Sequence, residues 1–221
     1  MTKTMLKDAL RYIGTPIEKA DVELVRKVEI SFKLLEQIAT PRMAYEQLTF
    51  KVEDETVFFE GTPFKIESSD LIKLFTHSKS CFIMAVTLGT EIDRQIGIRQ
   101  KLDMLDAVIL DACASVLVEK VCDDLEQQLM EKLKEDEFLT MRFSPGYGNV
   151  PLGSQRVLLD ILQAEKRIGL TLTKTDMMVP TKSITAIIGI SNQKENREKS
   201  CGNCNLVKTC AYRRRGDRCG L

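Results

Sequence analysis

Between Gly97 and Pro145 the chain contains neither glycine nor proline, and one apolar stripe runs through the interval. Leu102, Leu105, Ile109, Ala112, Val116 and Leu117 mark it, and Val121, Leu125, Leu129 and Leu133 continue it. Spacings of three and four residues put these side chains on one helical face. The stretch therefore predicts a long helix, straight or bent, whose apolar side the rest of the chain must cover. Ala112, Cys113, Ala114 and Ser115 form a window of small residues inside it. Such a window suits tight packing against another element, or the close approach of a ligand.

The covering elements can be read on either side. Thr2 to Tyr12 predicts a short amphipathic helix ended by Gly14, with Pro16 just beyond. A second helix starts at Asp21, carries Leu24, Val25, Val28, Phe32, Leu35 and Ile38 at helical spacing, and stops at Thr40-Pro41. The period then changes: Leu48, Phe50 and Val52 alternate with polar residues, Glu53-Asp54-Glu55 turns, and Val57-Phe58-Phe59 returns as a hairpin. Ser68 and Ser69 can cap a short helix through Phe75, which gives His77, the single histidine, a helical setting. Cys81 to Thr87 reads as a buried strand, and Thr90 starts another helix with Glu91 and Asp93 in its first turn. Further on, Ser154 can cap one helix with Val157, Leu158, Ile161, Leu162 and Ile168 inward, stopped at Gly169. Leu170 and Leu172 begin a strand, and Ser183 to Ile190 is a β-branched one. No βαβ repeat and no Gly-x-Gly-x-x-Gly fingerprint appear. The pattern predicts an α+β fold, helices around a twisted and mainly antiparallel sheet, rather than a doubly wound one.

Composition narrows the function classes. Lys plus Arg equals Asp plus Glu at 32 each, so no overall field favours nucleic acid or an anionic membrane. The first residues carry no apolar signal core, and no run is long enough to cross a bilayer, so the expected setting is cytoplasmic.

Arg142-Phe-Ser-Pro-Gly-Tyr-Gly-Asn-Val-Pro151 carries the most suggestive chemistry. Two prolines and two glycines exclude a regular helix or central strand and leave a shaped loop whose main-chain groups can approach a ligand. Arg142 brings a donor fork suited to a carboxylate, and Tyr147 an aromatic face with a hydroxyl. An amphiphilic small molecule with a carboxylate and a flat ring would suit both. A purely structural turn, its arginine paired with a surface glutamate, is the competing reading.

These residues, with Ala85-Val-Thr-Leu-Gly-Thr-Glu-Ile-Asp93 and Met178-Val-Pro-Thr-Lys-Ser-Ile-Thr-Ala-Ile-Ile-Gly189, resemble the activation domain of cobalamin-dependent methionine synthase in its free-standing form. The resemblance is placed from about Ala85 to Ile190. It implies binding of S-adenosylmethionine and reductive methylation of cob(II)alamin carried by a separate methionine synthase or corrinoid protein, with a low-potential electron donor. It implies that Arg142 holds the methionyl carboxylate, that the Ser144 backbone meets the adenosine part, and that Tyr147 lines the site, with Pro145 and Gly146 shaping the loop. An acidic residue from the long helix is also implied, with Asp111 and Glu119 as candidates.

Residues 191–200 are polar throughout and read as a linker. The spacing Cys201-x2-Cys204-x5-Cys210-x8-Cys219 follows, in a chain without secretory features, and reads as four metal ligands. A single Cys-x-x-Cys pair leaves an iron–sulfur cluster, zinc and a reduced metal-free tail all open. The expected organisation is an activation-domain-like unit over 1–190 and a linker with a Cys-rich tail over 191–221. A metal-binding adaptor or electron-transfer partner of another corrinoid methyltransferase is the alternative function.

Overall fold

The computed structural model describes residues 1–194. Cys201, Cys204, Cys210 and Cys219 lie outside the described residues. In chain order the described elements are α1 (Lys3–Ile13), α2 (Val22–Ile38), β1 (Arg42–Glu53), β2 (Thr56–Phe59), β3 (Lys65–Glu67), α3 (Ser69–Leu74) and β4 (Ser78–Thr87). Then come α4 (Thr90–Leu102), α5 (Met104–Met130), β5 (Phe138–Leu139), α6 (Ser154–Leu162), α7 (Ala164–Ile168), β6 (Thr171–Leu172), β7 (Met178–Val179) and β8 (Ser183–Ser191). Six strands form one sheet in the order β3-β2-β1-β4-β8-β5, and β6 and β7 form a separate ribbon. The fold class is α+β, as the sequence predicts. Two compact units are distinguished, each drawn from several chain segments.

The first unit comprises Met1–Glu46, Ile83–Lys132 and Gln155–Ala186. Helix α5 is its axis, packed against α1, α2 and α4. Leu10, Val28, Leu35, Ile92, Ile109, Leu110, Cys113, Ala114, Leu125 and Leu129 are fully buried there. The small-residue window serves packing: the Cys113 thiol lies 3.9 Å from the Val28 carbonyl of α2, an approach that larger side chains would block. Local chemistry sets the helix ends. Thr2 Oγ1 accepts from Met5 N at 3.2 Å, and Gly14 closes α1 at φ 85°. Asp21 caps α2 through Leu24 N at 2.7 Å.

The long apolar stretch is not one helix from Leu102 to Leu133. It breaks at Asp103, whose N–H closes α4 on the Arg99 carbonyl and whose carboxylate caps α5 through Leu105 N at 2.9 Å. A capping aspartate ends a helix without glycine or proline, because its side chain replaces the lost backbone partners. Lys27 of α2 sits at the break, with a hydrogen bond of 2.5 Å to Asp106 and an ion pair of 3.8 Å with Asp103. Leu102 and Leu105, expected in the buried stripe, are 81% and 49% exposed. At the other end α5 stops at Met130, short of Leu133. The single helix expected from Ser154 is likewise divided, by Gln163 at φ 49°, into α6 and α7; Gly169 ends α7 as expected. The strand begun by Leu170 is only β6, paired with β7 as Thr171↔Val179.

The second unit comprises Gln47–Phe82, Leu133–Ser154 and the described residues from Ile187 onward. Its β1–β2 hairpin pairs Phe50 with Phe59 and Glu53 with Thr56, turning at Asp54, φ 52°. Strand β3 continues it through Val57↔Ile66, and Phe50 stacks on Phe75 at 4.1 Å between centroids. Ser68 caps α3 through Leu71 N at 3.1 Å. His77 falls in the turn after α3 rather than in the helix, its carbonyl accepting from Asn192 N. Strand β8 runs through Ser191, which pairs with Phe138 of β5 and is 1% exposed, so regular structure reaches one residue past the expected linker boundary.

Candidate functional site

The Arg142–Pro151 loop belongs to the second unit, and its root is pinned to β8 on both sides of Arg142. On one side Thr140 N donates to Gly189 O at 2.9 Å, while Gly189 N donates to Thr140 Oγ1 at 2.8 Å. On the other, Phe143 and Ile187 exchange two backbone bonds of 2.9 Å each. The half-buried Arg142 thus leaves the sheet from a backbone fixed before and after it.

Beyond Phe143 the chain makes two successive turns. Tyr147 N donates to Ser144 O at 3.0 Å, with Pro145 at the second position and Gly146 at φ 88° in the third. That is a type II turn, whose third position needs the positive φ that glycine adopts without strain. Val150 N donates to Tyr147 O at 3.0 Å across Gly148, φ 53°, and Gly146 N donates to Val150 O at 2.9 Å. Pro145 and Val150 are buried beneath the turns. One expectation is corrected in part: the Gly146 and Tyr147 N–H groups are spent inside the loop and are not on offer to a ligand. Tyr147 projects outward, 61% exposed, its ring edge-on to Phe143 at 6.3 Å and 85°. The loop therefore carries a half-buried guanidinium at its root and an exposed aromatic ring on a hydrogen-bonded turn. These groups fit a ligand with a carboxylate and a flat ring.

Asn149, which sequence reasoning passed over, ties the loop tip to the start of α3. Its side-chain oxygen accepts from Ser68 Oγ at 2.6 Å and from Asp70 N at 3.1 Å. Its side-chain nitrogen donates to Ser69 Oγ at 2.8 Å, and its backbone N donates to Asp70 Oδ2 at 3.0 Å. A bond of 3.0 Å from Lys73 holds the Asp70 carboxyl below its usual range, and the Asn149 N–H adds to this. Asp70 thus stays an acceptor at neutral pH. No local pattern announces this contact, since its partners lie about eighty residues apart in sequence.

In the first unit, the Thr181-Lys182-Ser183 part of the Met178–Gly189 motif is fixed to α4, α5 and β4. Asp93 accepts from Thr181 N at 2.8 Å, and Ser183 Oγ donates to Thr87 Oγ1 at 2.8 Å. Lys182 reaches Asp111 at 2.8 Å and Ser115 Oγ at 3.0 Å. Asp111, a candidate acid from the long helix, is therefore already engaged by a cation of its own unit; Glu119 is half-buried on the same helix. Burial pushes the Cys81 and Cys113 thiols up to about 12, so neither is a nucleophile at neutral pH. Among the described residues, no helix is long and apolar enough to cross a membrane. Nor does any group of three or more His, Cys, Asp or Glu side chains there form a metal site.

The family model described as vitamin B12 dependent methionine synthase, activation domain, matches residues 63–217. A solved structure described as the MetH reactivation domain bound to AdoHcy is similar with a TM-score of 0.60 and 15% identity, over 84% of this chain and 70% of that one. That likeness is one of fold. No curated protein matches the chain.

Proposed function

Because the chain belongs to the family of the vitamin B12-dependent methionine synthase activation domain, we propose that it binds S-adenosylmethionine and supports reductive methylation of cob(II)alamin on a separate corrinoid protein. The observation that carries this reading is the Arg142–Tyr147 loop, held at both ends of Arg142 by β8 and folded into a turn that exposes Tyr147. The solved relative of similar fold is described as bound to AdoHcy, the product left when the methyl donor has given up its methyl group.

In this reading Arg142 pairs with the methionyl carboxylate, the Ser144 backbone meets the adenosine part, and Tyr147 lines the pocket while Pro145 and Gly146 set its shape. One electron from a low-potential donor converts cob(II)alamin to cob(I)alamin. The reduced cobalt would then bond to the methyl carbon as the carbon–sulfur bond breaks with its electron pair left on sulfur, giving methylcobalamin and S-adenosylhomocysteine. The sulfonium is already a good leaving group, so the protein has only to orient it and needs no side-chain base. The 221 residues contain no Asp-x-His-x-x-Gly sequence for holding a corrinoid, and this reading places the cobalamin on a partner. The donor and the corrinoid partner would share the cytoplasm with it.

Calorimetry on the wild type and Arg142→Ala tests the site. Loss of a charge-assisted bidentate pair should cost about 2 kcal/mol or more of binding. Equal affinity in the two proteins would remove Arg142 from the site. Mixing the protein with methyl donor, reductant and a cob(II)-loaded corrinoid protein tests the reaction, and restored methylcobalamin is expected. Efficient turnover with no corrinoid protein present would overturn the assignment.

The Cys201-x2-Cys204-x5-Cys210-x8-Cys219 tail is the feature that favours an electron-transfer role alongside this one. We assign these thiols to metal, an iron–sulfur cluster ahead of zinc, with Arg213, Arg214 and Arg215 offsetting thiolate charge. Oxygen-free preparations should contain iron and sulfide. Removal of residues 200–221 should abolish reductive activation while leaving methyl-donor binding intact. One equivalent of zinc with no iron would sink the relay and leave a metal that stabilises the tail alone.

A further inference from the structure

The loop tip has little apolar burial to hold it. Gly146, Tyr147, Gly148 and Asn149 are all exposed, so core packing cannot fix the position of the aromatic face. What ties the tip to the start of α3 is polar and lies at one residue. Asn149 uses its side-chain oxygen, its side-chain nitrogen and its backbone N–H at once, on Ser68, Ser69 and Asp70, at 2.6 to 3.1 Å. Other small polar residues could supply part of this set. An asparagine side chain has an acceptor and donors on one short planar group, so it can accept from Ser68 and Asp70 N while donating to Ser69. Gly148 is required beside it, because a Cβ there would overlap the Asp70 carboxylate and press on Phe143 Cζ at 3.1 Å.

We propose that Asn149 is a positioning residue for methyl-donor binding: by latching the loop tip to Ser68, Ser69 and Asp70 it holds the Arg142–Tyr147 turn in its binding geometry before the ligand arrives. The inference rests on the proposed S-adenosylmethionine site and adds to it residues that act through the loop. The physical consequence is one of preorganisation. Without the latch the turn must be ordered at the moment of binding, and that cost comes out of the affinity.

The test compares the wild type, Asn149→Ala and Ile66→Val in the full chain. Ile66 is 2% exposed in the core of the same unit, so its variant lowers stability while leaving the latch whole. Affinity for S-adenosylhomocysteine is measured by calorimetry, and amide hydrogen exchange is followed at Gly146, Tyr147 and Val150 without ligand. The expected result is an affinity loss of about tenfold or more in Asn149→Ala, with faster exchange at these three amides and neither change in Ile66→Val. Wild-type affinity in Asn149→Ala, or an equal loss in both variants, would overturn the proposal. Should the wild type itself not bind, the functional reading fails and the exchange arm still decides the latch: unchanged protection in Asn149→Ala would refute it.

Discussion

Gly189 should not tolerate even a methyl group, and the reason lies in how closely β8 approaches the root of the loop. A Cβ at this position would meet Ser78 Oγ at 2.6 Å, Thr140 Cγ2 at 2.9 Å and Thr140 Oγ1 at 3.2 Å. The two neighbours differ in what they can give. The Ser78 hydroxyl is buried with no hydrogen-bond partner, so it can rotate away and lose nothing. Thr140 is fully buried, and two bonds of 2.8 and 2.9 Å to Gly189 itself fix it. Overpacking of this kind costs about 1–3 kcal/mol, and weakening one of the Thr140 bonds adds about 1 kcal/mol. Replacing a strand glycine returns about 0.5–1 kcal/mol of chain entropy. The net expectation for Gly189→Ala is a destabilisation of about 1–3 kcal/mol.

Urea unfolding checks this: with a slope near 2 kcal/mol/M the midpoint should fall by about 0.5–1.5 M at constant slope. The two neighbours can be separated in the Gly189→Ala background. Thr140→Ser removes the crowding methyl and keeps the hydroxyl, so it should recover part of the loss relative to Thr140→Ser alone. Ser78→Ala should recover less, and by itself should be neutral or slightly stabilising because it deletes an unpaired hydroxyl. An unchanged midpoint in Gly189→Ala, or full rescue by Ser78→Ala and none by Thr140→Ser, would refute the reasoning.

Two other expectations follow from ionisation. Bonds from Arg94 at 2.6 and 2.8 Å, then Gln95, lower the Glu91 pKa from 4.5 to about 2. A carboxyl depressed in the folded state stabilises it above the unfolded value and loses that contribution as pH falls from about 4.5 toward about 2, so Glu91→Gln should flatten part of the acid limb of a stability–pH curve. The effect should shrink in high salt, because the pair is at the surface. Cys81 and Cys113, their thiols pushed up to about 12 by burial, should resist a thiol reagent at pH 8 until the chain is unfolded, which a timed absorbance assay would show.

Much of the fold was legible because its signals are local. Thr2 and Gly14, Asp21 and Ser68 mark helix ends through bonds to residues within one turn. The prolines and glycines of Arg142–Pro151 announce a shaped loop for the same reason, while its type II turn comes from the structure. The misreadings lie where residue type alone does not announce the local geometry. Asp103 looks like any acid on a helix surface, yet its carboxylate caps α5 through Leu105 N, with Lys27 of another helix beside it. With that cap the chain breaks, and Leu102 and Leu105 leave the core despite their spacing. Gln163 adopts a positive φ that its residue type does not advertise. In the candidate site the shaped loop was legible and its support was not, since each supporting contact joins segments more than forty residues apart.

That division has a physical logic. On the proposed function the loop must keep its recognition groups reachable, so its apolar burial is confined to Pro145 and Val150 beneath the turns. The loop substitutes directional bonds for burial, two anchors on β8 at its root and the Asn149 set at its tip. Each is exchanged against water and has modest net worth, but together they restrict the few dihedrals left free between Pro145 and Val150. The glycines are part of the same arrangement: Gly146 permits the turn, Gly148 makes room for the Asp70 carboxylate, and Gly189 lets Thr140 close on the strand. Substitution at any of them should therefore disturb Arg142 and Tyr147 without touching either side chain.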